Sequence, residues 1–180
     1  MPTEKGVQMA SAIRAVLEMQ SDCIRLFHDL DKTLSDLHPL LGNLVTSWVG
    51  TSINSQQLYV AQYLFRIYAP HGKKDRILGV NVCFHDQPKR LFPEPIFVVA
   101  NTSYIPEPPT REEELTRAFD PWSAYLDWAQ DKSFGRALEV EPFRPTIQKI
   151  VIAAEPLFSI TSLDAALHTI GLVGRPSGSH

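Results

Sequence analysis

Apolar positions along the chain follow two periods. From Val7 to Leu37, apolar or near-neutral residues recur as Met9, Ile13, Val16, Gln20, Cys23, Phe27, Leu30, Leu34 and Leu37. The steps alternate four and three, which predicts one helix over 7–37 with a single apolar seam. Charged residues flank it, and three pairs fall at i,i+4: Arg14–Glu18, Arg25–Asp29 and Lys32–Asp36. Residues 1–6 read as a frayed, disordered end. Pro39 stops the helix, because the residue before a proline is pushed out of helical geometry. About 31 residues span roughly 46 Å, whereas a compact domain of this size is only about 40 Å across. The helix therefore crosses the whole body or projects from it, and a projecting apolar seam needs a second chain. Packing within the chain and a homodimer helix both fit, and Gln20 in the seam is compatible with either.

Pro39 can also open a second helix, with Leu40, Leu41, Leu44, Val45 and Trp48 on one face and Gly50 as its stop. After a polar loop at 51–57 the period changes to two. Leu58 to Tyr68 places Tyr59, Ala61, Tyr63, Phe65 and Ile67 on one face. Ile77 to Asp86 does the same with Leu78, Val80, Val82 and Phe84, and Ile96 to Tyr104 is rich in β-branched residues. These are three strands of an antiparallel meander, joined by a Pro- and Gly-bearing connection at 69–76 and one with three prolines at 86–95. Thr110 and Glu113 have capping-box spacing ahead of a helix, and Asp120-Pro121 restarts it with Trp122, Tyr125, Leu126 and Ala129 on one face. Residues 131–145 read as irregular. Thr146 to Ala154 is a fourth strand, and Thr161 or Ser162 caps a last helix through Ile170, ended by Gly171. Residues 174–180 read as a disordered tail.

The order α-α-β-β-β-α-α-β-α predicts a single α+β domain over 7–173. Its helices cover one face of a mostly antiparallel, four-stranded sheet. The order is similar to that of sensor modules of the PAS kind and of small secretion chaperones, a likeness of architecture alone.

Composition narrows the function classes. The 180 residues are 44% hydrophobic and 21% charged, with a net charge of −3. That is an ordinary globular balance, with no electrostatic pull towards nucleic acid or an anionic membrane. Two cysteines, Cys23 and Cys83, do not make a disulfide framework and fit a reducing, cytoplasmic setting. No apolar run reaches the length of a membrane span. The nine glycines never take the spacing of a phosphate-binding loop, so no nucleotide cofactor is implied. Lys73, Lys74 and Arg76 form one basic cluster and Lys89 and Arg90 another. In a meander they fall at opposite ends of the sheet, as solubilising turns.

Candidate chemistry lies on the predicted polar sheet face. Asn81, Cys83 and His85 lie opposite the apolar residues of their strand. With aligned registers, Gln62, Arg66, Asn101, Ser103 and Lys149 join them. Arg66, Asn81, Ser103 and Lys149 would then line a ligand-binding face, although a solvated face is common in antiparallel sheets. Cys83 and His85 are two apart, with α-carbons about 6.5–7 Å apart. They are within reach of a thiolate–imidazolium pair that Asn101 could orient. Against this, a mid-strand cysteine is more often a small buried hydrophobe, and nucleophilic thiols favour helix N-termini or loops. His85-Asp86 lacks the further ligands that a metal needs, and His28, His38, His71, His168 and His180 are scattered. The reading is a non-enzymatic interaction or ligand-sensing domain, dimeric through the long helix. It would dock a protein or small molecule on the polar face. The alternative is a small hydrolase or transferase using Cys83, His85 and Asn101.

Overall fold

The computed structural model describes residues 3–40, 46–48, 63–73, 75–84, 94–105 and 134–176. Helix α1 spans Glu4–Thr33 without a break. Its start is sharper than a frayed end: the Thr3 hydroxyl oxygen accepts from the Gly6 amide at 3.2 Å, which satisfies one of the otherwise orphaned first-turn donors. The helix stops before Leu37, which instead opens strand β1 (Leu37–Pro39). The expected i,i+4 pairs give way to i,i+3 contacts in the second half. Arg25 pairs with Asp22, and Lys32 Nζ reaches Asp29 Oδ1 at 2.9 Å.

Where a second helix is predicted over 39–50, the described residues form strands, the end of β1 together with β2 (Thr46–Trp48), and 41–45 and 49–50 lie outside them. Both lie antiparallel along β3 (Tyr63–Pro70), β1 at one end and β2 at the other. The reason is the demand of β3, which is buried at every position. Its outer row of backbone donors and acceptors has to be paired, and that outweighs the local helical pattern of the leucines.

The predicted meander is present as β3, β4 (Arg76–Cys83) and β5 (Ile96–Tyr104), consecutive and antiparallel. Strand β7 (Ile147–Pro156) joins β5. The stretch expected to be irregular contributes β6 (Leu138–Val140), paired with β7. The described strands form one antiparallel sheet in the order β1-β3-β4-β5-β7-β6, with β2 also on β3. A 3-10 turn at Leu157–Ser159 leads into α2 (Leu163–Val173). The Ser162 hydroxyl oxygen caps α2 by accepting from the Ala165 amide at 3.2 Å. Gly171 lies inside the helix, and Gly174, with φ 73°, ends it. The class is therefore α+β, with helices on an antiparallel sheet, but with more strands than predicted. The helices predicted between 110 and 130 lie outside the described residues.

The sheet is not apolar on one face and hydrophilic on the other. On one face Leu64, Tyr68, Leu78, Val80, Val82, Phe97, Val99 and Ala153 pack with Cys23, Phe27, Leu30 and Leu34 of α1 and Ala166, Ile170 and Val173 of α2. On the other, Tyr63, Phe65, Ile67, Ile77, Cys83, Ile96, Val98, Ala100, Ile152 and Ala154 form a second buried cluster. The cause is register. Phe65 stands opposite Asn81, and Arg66 opposite Val80, so the apolar rows of β3 and β4 that were expected to share a face lie on opposite faces. An offset of one residue exchanges every side chain between the faces of a strand.

Candidate interaction surface on the long helix

The two halves of α1 carry the same seam but sit in different surroundings. Cys23, Phe27 and Leu30, with Leu34 just past the end, are buried against the sheet. Residues 3–15 are exposed without exception, a free length of about 20 Å at 1.5 Å per residue. Met9, Ile13 and Leu17 are 68%, 56% and 58% exposed, and Ile24 is 38% exposed. Their spacing aligns them along one side of the helix. Between Lys5 and Glu18 the only charged residue is Arg14. An isolated helix this short is marginal in water, and a helix exposed all round is ordinarily polar all round. This segment carries Met9 and Ile13 along one side instead.

A polar clamp holds the second half down. Arg66, 2% exposed at its side chain, projects from β3 towards α1. Its Nε and Nη2 donate to Asp31 Oδ1 and Oδ2 at 2.9 and 2.5 Å. The Tyr68 hydroxyl donates to Asp31 Oδ1 at 2.9 Å, and His28 Nδ1 lies 3.8 Å from Asp31 Oδ2. Burial, with the Asp31 charge and hydrogen bond behind it, raises the Tyr68 phenol well above its usual range. Within the anchored half, burial and then the nearby Asp22 charge push the Cys23 thiol from 9.0 to about 12. It therefore stays protonated and is no nucleophile near neutral pH.

The residues expected to share a polar face are dispersed. Cys83 is buried in the cluster away from the helices, and Asn81, also buried, belongs to the same row of β4. Arg66 lies on the helix-covered face, opposite Val80. Asn101 is on that face too, opposite Leu78 and Val151, so the sheet separates it from Cys83. Its Nδ2 donates to the carbonyls of Val173 and Gly174 at 3.4 and 2.9 Å. Asn101 thus closes the C-terminus of α2, where carbonyls lack helical partners. Ser103 is half-buried, opposite Arg76 and Lys149. Lys149 is exposed, with Nζ 2.8 Å from Glu139 Oε2. His85 and Gln62, like Lys89 and Arg90, lie outside the described residues. The structure therefore does not bring Cys83 and Asn101 together, and the expected ligand face is split between two faces.

Two features escaped the sequence reading. The rings of His38 and His71 stack with centroids 4.9 Å apart, brought together because β1 pairs with the end of β3. A groove of about 790 Å³ runs between α1 and the 157–163 turn, lined by Met19, Cys23, Leu26, Leu157, Phe158 and Leu163 among others. Its α1 residues lie on the side of the helix away from Ile13 and Leu17. Among the described residues, no group of three or more His, Cys, Asp or Glu is placed to hold a metal ion, and no helix is long and apolar enough to cross a membrane. Comparison with protein-family models, with curated proteins and with solved structures finds no match.

Proposed function

We propose that this chain is a non-enzymatic interaction domain that forms a homodimer through the free half of α1. The observation that carries the reading is the exposed stripe of Met9, Ile13, Leu17 and Ile24 along one side of α1, a side that the sheet and α2 leave uncovered among the described residues. A second copy suits it because the stripe carries no charge. It can meet itself without like-charge repulsion, and it offers nothing for a charged partner to select. The four side chains together expose the equivalent of about two whole ones. Pairing two copies would bury about four, worth roughly 6–12 kcal/mol gross. Association costs about 4–15 kcal/mol, so weak-to-moderate, concentration-dependent pairing follows. A small-molecule site on the sheet is not carried forward, since its expected lining is divided between two faces. The two buried cysteines, neither of them in a disulfide, suit a reducing compartment such as the cytoplasm.

The test is molar mass by light scattering over a concentration series. The native chain is expected to move from one mass to twice that mass. The double variant Ile13→Glu/Leu17→Glu is expected to stay monomeric with an unchanged unfolding transition. A native chain that is monomeric throughout the series ends the proposal.

A further inference from the structure

We infer that the two copies of α1 pair antiparallel about a two-fold axis at Leu17; this rests on the homodimer reading and specifies its geometry. The exposed apolar stripe begins at Met9 and ends at Ile24, so its midpoint falls between residues 16 and 17. A two-fold pairing is self-complementary: if residue i meets residue j, then j meets i. Antiparallel alignment about Leu17 puts Leu17 against the partner's Leu17 and Met9 level with the partner's Arg25, one residue from the partner's Ile24. Ile13 comes beside the partner's Gln20, the one polar residue of the seam within that span. Each exposed side chain of the stripe is then covered, and the free half of one helix lies along the anchored half of the other.

Electrostatics favour the same direction. Asp31 is one heptad beyond Ile24 and therefore on the same side of α1. Its carboxylate is partly exposed even with Arg66 on it. In an antiparallel pair, the start of the partner's helix arrives beside Asp31. That end bears the positive pole of the helix dipole, and a nearby carboxylate stabilises it. In a parallel pair Asp31 would meet its own copy, and the two dipoles would run side by side in the same sense.

Disulfide trapping tests the direction. Single variants Met9→Cys, Leu17→Cys and Ile24→Cys of the full chain are treated with a mild oxidant and run without reductant. All three positions are exposed, and the native thiols Cys23 and Cys83 are buried, so background cross-linking is expected to be low. Leu17→Cys is expected to cross-link by itself. Met9→Cys and Ile24→Cys are expected not to, but to cross-link when the two variants are refolded together. Met9→Cys and Ile24→Cys each joining to itself would establish a parallel pair, overturning the inference while leaving the homodimer intact. Cross-linking at Leu17 with none in the mixture would also overturn the antiparallel alignment. No cross-link at any position, with a monomeric mass, would remove the homodimer reading beneath it.

Discussion

The first and second halves of α1 follow one pattern and meet different fates. Phe27, Leu30 and Leu34 are fully buried beneath the helix. Met9, Ile13 and Leu17 occupy equivalent turns and are more than half exposed. The difference lies in what is within reach. Among the described residues, the sheet and α2 pack on the second half of the helix, and the Asp31–Arg66 clamp fixes that half in place. Periodicity therefore marks where a helix wants cover, and tertiary structure decides whether the cover comes from the same chain.

If that contrast is right, truncations in the two halves have unequal effects on the stability of a dilute sample. Phe27→Ala opens a cavity beneath a fully buried ring and is expected to cost about 3–5 kcal/mol. Ile13→Ala is expected to change monomer stability by less than about 0.5 kcal/mol. Urea unfolding below the association range reads both, and similar losses at the two positions would erase the distinction. Next in size is the clamp. Asp31→Asn removes the carboxylate charge that the buried Arg66 guanidinium pairs with, and the loss of one partner from a buried pair costs about 3 kcal/mol. Tyr68→Phe removes one hydrogen bond to the same carboxylate and is expected to cost about 1 kcal/mol. An Asp31→Asn variant as stable as the native chain would show that packing alone anchors the second half.

Smaller still is the cap on α2, where Asn101→Ala is expected to cost about 1 kcal/mol in the same assay. The last effect is absent at neutral pH and visible only in alkali. Cys23 titrates near 12 when folded and near 9.0 when unfolded, so unfolding releases its proton between those values. Its contribution is fully present below pH 9.0 and fades as pH rises towards 12. The alkaline decline in stability is expected to be shallower in Cys23→Ala than in the native chain. Equal slopes would mean that the thiol is not desolvated.

The strands β3, β4, β5 and β7, α1 and the final helix were legible from periodicity, each being long enough to show its repeat. Strands β1 and β2 were not, since three residues cannot display a period of two. Their leucine-rich surroundings imitate a helix face. Register was the costlier miss. In β3 both rows of side chains are largely apolar, and Gln62 and Arg66 were the residues that marked the expected watery side. The Arg66 charge is neutralised by Asp31, 35 residues earlier, and nothing local to Arg66 reveals that partner. The supposed ligand face and the grouping of Cys83 with Asn101 failed for the same reason. Of the exposed stripe, Met9 and Ile13 belong to the seam that periodicity marks, whereas Leu17 and Ile24 stand beside it and show their exposure only in the structure.

Amide hydrogen exchange along α1, measured at several protein concentrations, bears most directly on the idea that one helix has two kinds of partner. Amides within 8–17 are expected to exchange rapidly in dilute solution and to slow as concentration rises, while those within 24–33 stay protected throughout. Protection at 8–17 that never changes with concentration would contradict it.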